Sequence, residues 1–261
     1  MIPPAEVRRR ARSLGIQEAY ILRDYVLNHV LVSISQSLSE LIFRGGTALA
    51  RVYWPDFRLS DDLDFIAKGQ VNNLEARLDS AVADSSKRIQ RSLKFQFGSP
   101  RGGWSRSTVE SEFGELLLDI NLQEKAYLPV EEMVLNLPYS DLDEEVRIGC
   151  LSIPEILGNK WFMLDDRREP RDLYDLWAAL SQFGVTFEEI DRGHRAKYGY
   201  PPLRESLKTA RQLQDKWESR LRYQLPNLPS LDEVISDLDA IFESWKLPEV
   251  GTPKAQPAPR S

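Results

Sequence analysis

Within 43–67, FRGGTALARVYWPDFRLSDDLDFIA, four consecutive residues hold three carboxylates, Asp61, Asp62 and Asp64. They border an apolar run, and crowded acids weaken a fold unless something cationic accompanies them. In an extended strand alternate side chains share a face. Asp62 and Asp64 therefore point one way, Leu63 and Phe65 the other, and Asp61 is directed away from the pair. The paired Cα atoms lie about 6.6 Å apart at a rise of about 3.3 Å per residue. That spacing suits a hard cation such as Mg²⁺, with Mn²⁺ as the alternative, which prefers oxygen ligands and retains waters or substrate phosphates. The same alternation in ELLLDINLQ sets Leu117, Asp119, Asn121 and Gln123 on one face, leaving Asp119 a lone carboxylate in an apolar strand. If that strand neighbours DLDF, then Asp62, Asp64 and Asp119 converge as metal ligands.

Sixteen positions before Asp62 stands Gly46, and the order strand, Gly45-Gly46-Thr47, helix places free backbone N–H groups and a hydroxyl at a helix start. Such a start attracts anions, and glycine lets a phosphate approach the backbone. Arg58 and Ser60, two apart and just ahead of the acidic pair, add a cation and a hydroxyl for the same phosphates. A phosphate cradle beside acidic metal ligands is what nucleotidyl transfer from an NTP requires. Farther on, PEILGNKWFMLDDRRE spaces Ile156, Lys160, Leu164 and Arg167 at helical steps, so Lys160 and Arg167 share a face suited to a triphosphate or an RNA backbone. In RDLYDLWAAL, Asp172 and Asp175 flank the apolar stripe and can position Lys160, Arg167 or an acceptor hydroxyl.

These residues need a scaffold, and the chain can supply one. Its 261 residues are 42% hydrophobic and 10% aromatic, enough for a sizeable core in one large domain or two small ones. Residues 5–38 read as two helices split near Gly15. A strand (ELIFRGG), helical turns (TALARVYW), a second strand (DLDFIAKG) and a helix over 71–93 follow. Three more strands are expected at KFQFG, SRSTVESEF and ELLLDINLQ. A polar connection over 129–145 leads to the strand VRIGCLS. Helices then take over: one opening on a Ser-x-x-Glu capping box at SIPE, one at RDLYDLWAALSQFG, one over 201–225, and LDEVISDLDAIFESWK. The plan is α/β (α+β), a mixed-sheet half over 1–150, a helical half over 151–247 completing the site, and a Pro-rich, disordered tail at 248–261.

Composition narrows the rest. A net charge of −6 gives no general attraction to nucleic acid, although 34 Lys and Arg can still build a local basic groove. Candidates for such contacts are the arginines of RRRAR, the set Lys208, Arg211, Lys216, Arg220 and Arg222, and the hairpin SPRGGWSRS with Arg101, Trp104 and Arg106; solvated faces and a plain hairpin are the competing readings. One cysteine, Cys150, forbids a disulfide within the chain, and two histidines with one cysteine leave no zinc site, so any metal is held by oxygen. No signal peptide or membrane span is expected, because the most apolar window, YVLNHVLVSI, is short and contains Asn28 and His29; the single cysteine fits a reducing cytoplasm, which is the expected location.

The ordered motifs RGGTAL, RLSDDLDF, LLDI and EILGNKWFMLDDRREPRDLYDL resemble the AbiEii family of nucleotidyltransferase toxins, within the DNA polymerase β-like superfamily. The matching positions are Gly45, Gly46, Thr47, Arg58, Ser60, Asp62, Asp64, Asp119, Lys160, Arg171, Asp172 and Asp175. Arg44 stands where the family commonly has lysine, and GNK replaces the acidic residue usual before the helix lysine. The fifteen residues between Gly46 and Asp62 exceed the superfamily's usual spacing.

The resemblance implies a polymerase β-like fold and Mg²⁺-dependent transfer of an NMP from an NTP to an acceptor hydroxyl. In relatives the acceptor can be the 3′ end of tRNA, blocking translation, and an antitoxin protein is the expected partner. It assigns catalysis to Asp62, Asp64, Asp119, Lys160 and Asp172, and nucleotide binding to Gly45, Gly46, Thr47, Arg58, Ser60 and Lys160, to which helical spacing, not the resemblance, adds Arg167. A protein acceptor, or a non-catalytic nucleotide- or partner-binding module on the same fold, are the alternatives.

Overall fold

A computed structural model describes residues 1–55, 57–225 and 227–244; the expected tail and the last residues of the helical half lie outside them. Two helices come first, α1 (Pro4–Leu14) and α2 (Glu18–Ser37), separated by Gly15 in the left-handed conformation that closes many helices. Seven strands follow among the described residues: β1 (Leu41–Arg44), β2 (Asp62–Ala67), β3 (Lys94–Gln96), β4 (Trp104–Ser111), β5 (Gly114–Asn121), β6 (Glu131–Val134) and β7 (Arg147–Cys150). They form one sheet in the order β3-β4-β5-β2-β1-β7-β6. β1 runs parallel to β7 and β2 parallel to β5, while the other neighbours are antiparallel. The sheet is mixed, as the sequence predicts.

Helix α2 is buried along most of its length and packs against β2, β5 and α4 (Leu74–Ile89). A helix apolar on nearly every side belongs inside a core, and α2 fills that place. Between β1 and β2 the chain makes α3 (Gly45–Ala48), which continues as a π-helical turn over Leu49–Tyr53. The buried Arg51 in that turn pairs with buried Asp24 of α2, anchoring the segment to the core.

Beyond Leu151 the described residues hold helices: α5 (Ile153–Asp166), α6 (Pro170–Ser181), α7 (Phe187–Tyr198), α8 (Glu205–Thr209), α9 (Gln214–Leu221) and α10 (Leu231–Ser244). Three details depart from expectation. The connection 129–145 contains β6, and α7 appears where no helix is predicted. The continuous helix over 201–225 is instead α8, a 3₁₀ turn (Ala210–Leu213) and α9. The capping box also moves. Ser152 makes no side-chain cap, and the Glu155 carboxylate is turned to the Tyr127 and Leu128 amides, from which it accepts hydrogen bonds at 3.0 and 2.9 Å. A complete box forms at Thr186 and Glu189, at the start of α7.

Candidate active site

Register across four strands builds the site. Arg44 of β1 pairs with Asp64 of β2, Asp64 with Asp119 of β5, and Asp119 with Arg106 of β4. Residues in register share a sheet face with neighbouring strands about 4.8 Å apart, so this row reads plus, minus, minus, plus along one face. Asp62 lies two residues from Asp64, on the same face and level with Leu117. The condition set by the sequence is met: β2 and β5 are adjacent, and their acids share a face. The row floors a cleft whose lining also includes Gly45, Gly46, Trp104, Asn159, Lys160, Met163 and Arg167.

The three carboxylates differ in partners. Arg106 forks onto Asp119 at 2.7 and 2.6 Å, and Arg171 donates to Asp62 at 3.0 Å. The Asp64 carboxylate has no hydrogen bond or ion pair among the described residues. Burial pushes its carboxyl above the ordinary range; Asp62 and Asp119 push the same way, while Arg44 and Arg167 oppose them. A bare acid beside two like charges is an arrangement that a cation relieves.

Whether these residues suit a divalent cation is a question of donor type and placement. All three are oxygen donors, they share one face, and the middle one is bare. As they stand, however, no three acidic, histidine or cysteine side chains among the described residues are grouped closely enough to hold one ion. Arg106 and Arg171 occupy two of the three. The set fits a hard cation in chemistry and face, provided those arginines give up Asp119 and Asp62.

The glycine pair has a tertiary cause. Gly45 adopts φ +79°, and a Cβ there would sit 2.4 Å from Asp64 Oδ2. At Gly46 a Cβ would collide with the Arg58 guanidinium, 2.0 Å away. The pair thus lets two side chains pack against the start of α3. That start has no side-chain cap, so its first amides retain donors for an anion. Thr47 Oγ1 is turned inward, donating to Ser60 Oγ or the Asp62 carbonyl.

Arg58 is placed differently from the phosphate ligand expected of it. Its guanidinium is buried, forks onto Asp175 at 2.7 and 2.9 Å, and donates to the Leu59 carbonyl and Gln224 Oε1 at 3.0 Å each. Ser60 is buried beside Thr47. Neither is among the residues that line the cleft. Asp61, expected to face away, does so with a purpose: it accepts from the Tyr223 hydroxyl at 2.5 Å and from Gln224 at 3.2 Å, tying β2 to the segment after α9.

Across from the acids, α5 and α6 form a cationic wall. Lys160 lies 3.1 Å from Asp172 and 2.6 Å from Asp175, and Arg167 forks onto Asp172 at 2.8 Å twice. Asp172 and Asp175 are fully buried and stay ionised; burial works against this, and the surrounding Lys160, Arg167 and Arg58 outweigh it, holding Asp172 at about 2. An ammonium has three donors, so Lys160 keeps one for the cleft after serving both carboxylates. Asp172, expected among the catalytic residues, is thus taken up by Lys160 and Arg167 and is fully buried.

Sequence reasoning passed over part of the lining. Glu124 accepts from Arg44 at 2.6 Å and from Lys197 at 2.5 Å, and Lys197 also reaches Asn159. Lys197 belongs to the unpredicted α7, so nothing in the sequence tied it to Arg44. Arg106 and Arg171 were visible as residue types, yet their carboxylate partners depend on strand order and helix docking.

The family described as nucleotidyl transferase AbiEii toxin, of type IV toxin–antitoxin systems, matches residues 26–244. No curated protein matches the sequence. Among solved structures, the MenT4 nucleotidyltransferase toxin from Mycobacterium tuberculosis is 20% identical with a TM-score of 0.62, over 93% of this chain and 89% of that one. JHP933 from Helicobacter pylori is 18% identical with a TM-score of 0.56, over 88% of this chain and 92% of that one. At these identities the likeness is one of fold.

Proposed function

Because this chain belongs to the AbiEii nucleotidyl transferase toxin family, we propose that it moves an NMP from an NTP to the 3′-terminal hydroxyl of an RNA, tRNA above all. The observation that carries the reading is the facing of two charged walls. Bare Asp64 stands in register with Asp119, and both line the cleft with Lys160 and Arg167.

In this reading Lys160 and Arg167 take the triphosphate, while Asp172 and Asp175 keep the Lys160 ammonium aimed. The free amides at Gly45, Gly46 and Thr47 meet phosphate oxygens from the other side. Asp62, Asp64 and Asp119 would hold Mg²⁺, or Mn²⁺ in its place, which would supply positive charge against the developing phosphate charge and lower the basicity of the acceptor oxygen. The acceptor oxygen then bonds to the α-phosphorus and the α–β bridging bond breaks. Pyrophosphate departs along the Lys160 and Arg167 wall, and the hydroxyl proton passes to Asp119. Arg106 and Arg171, relieved of their carboxylates, are free to meet phosphates.

An RNA capped in this way at its 3′ end cannot be aminoacylated, which blocks translation. A toxin of this kind requires restraint, so an antitoxin protein is the expected partner and the cytoplasm the expected place. No described helix is long and apolar enough to cross a membrane.

Each [α-³²P]NTP, incubated in turn with the protein, Mg²⁺ and total RNA, tests the proposal. Label should enter RNA with the wild type and be lost with Asp64→Asn, which removes a charge from the acidic row while keeping its shape. Transfer retained by a folded Asp64→Asn protein would sink the assignment. Label on protein alone would move the acceptor to a polypeptide.

A further inference from the structure

One large apolar side chain stands in the open on the acidic face. Trp104 is 44% exposed yet lines the cleft with Arg106, Asp119, Lys160 and Arg167. Its place follows from register. Trp104 pairs with Asn121, two residues along β5 from Asp119, and Arg106 pairs with Asp119 itself. The side-chain period of two then sets Trp104 and Arg106 on the face that carries the acids.

The other described tryptophans are satisfied. Trp54 stacks on Phe183 with centroids 4.4 Å apart, Trp161 meets Phe187 and Phe242, Trp177 donates to Asp237, and Trp217 donates to the Pro229 carbonyl. All four are buried. Trp104 alone among the described tryptophans has neither a ring partner nor an indole hydrogen bond.

The backbone beneath it is held firmly. Arg101 and Trp104 exchange N–H···O=C bonds of 2.8 and 3.0 Å, and the Leu122 amide donates to the Gly103 carbonyl at 2.7 Å. Gly103 makes the turn at φ +82°. The indole is thus displayed on a braced hairpin end rather than on a loose loop. A flat π-face fixed beside phosphate-binding cations is the chemistry that recognises a nucleobase, since every base offers a face to stack.

We infer that Trp104 is a stacking platform for a nucleobase at the mouth of the cleft, with Arg101 and Arg106 on the adjoining phosphates. The inference deepens the nucleotidyl-transfer reading and rests on it. The base comes either from the bound NTP or from the 3′ end of the acceptor RNA.

Equilibrium binding separates these sources and does not require turnover. The ligands are an α,β-methylene NTP, followed by calorimetry, and a fluorescein-labelled single-stranded RNA oligonucleotide with a free 3′ end, followed by anisotropy. Wild type, Trp104→Ala and Trp104→Phe are compared, with thermal midpoints recorded to show that all three fold. Trp104→Ala is expected to weaken one or both ligands about tenfold or more, the size of a lost aromatic–base stack, and Trp104→Phe by less. A loss confined to the NTP assigns its base to the platform; a loss confined to the RNA assigns the acceptor's terminal base. Unchanged affinities in Trp104→Ala, or a wild type that binds neither ligand, would overturn the inference. The function test fails separately: a wild type that binds both ligands through Trp104 and never transfers label keeps the platform and loses the enzyme.

Discussion

Replacing Arg58 with leucine tests whether that side chain is a ligand of the substrate or a support for the cleft. In the structure it makes four hydrogen bonds, two to Asp175, one to the Leu59 carbonyl and one to Gln224, and its side chain is 2% exposed. Leucine removes all four and leaves Asp175, itself fully buried, with Lys160 as its remaining cation. Breaking a buried pair from one side costs about 3–5 kcal/mol. Because Lys160 stays 2.6 Å from Asp175, the expectation lies at the lower end, about 3 kcal/mol. Against a typical stability of about 5–15 kcal/mol, the protein should still fold in the cold. Urea unfolding followed by tryptophan fluorescence at neutral pH measures the loss. The KM for NTP, taken where both proteins are folded, should change less than about threefold, since no bond to substrate is removed. A stability within about 1 kcal/mol of wild type together with a KM raised about tenfold would refute the reasoning and return Arg58 to the phosphates.

Acid should weaken the same network. Asp172 is held at about 2 rather than 3.8 by Lys160 and Arg167 against the opposing effect of burial, so its contribution is complete above pH 3.8 and fades as pH falls through about 2. The stability gap between wild type and Asp172→Asn, worth about 2 kcal/mol at neutral pH, should therefore close across that window in pH-dependent urea titrations; a gap unchanged at low pH would contradict the pairing. Gly45→Ala places a Cβ 2.4 Å from Asp64 Oδ2 at a φ of +79°. It should lower the thermal midpoint by an amount equivalent to about 1–3 kcal/mol and cut NMP transfer, and wild-type values in both assays would dismiss the role given to this glycine.

Much of this was legible in one dimension because it depends on local periodicity. Alternation separated Asp62 and Asp64 from Asp61, helical spacing put Lys160 of α5 on the same side as Arg167, the residue that caps it, and Gly15 marked the break between α1 and α2. Where competing long-range contacts decide, reading failed. The capping box at Ser152 is a good local motif, yet Glu155 satisfies two loop amides instead. The segment 201–225 has helical spacing, yet it breaks into shorter pieces whose apolar residues, Leu207, Leu213, Trp217 and Leu221, are buried against the rest of the fold.

The sequence by itself determined the chemical inventory: oxygen donors at strand spacing, a glycine pair at a strand–helix turn, a helix bearing Lys160, and too few histidines and cysteines for zinc. Only the tertiary structure decided who serves whom. Strand order put Asp119 beside Asp64, with Arg44 and Arg106 at the ends of the row. Docking of α6 buried Asp175 between Arg58 and Lys160, so that the guanidinium expected at the phosphates is taken up by a buried carboxylate. The reason is physical. A side-chain period follows from bonded geometry and is written residue by residue, whereas the partner of a buried charge follows from desolvation, which exists only once distant segments have closed over it.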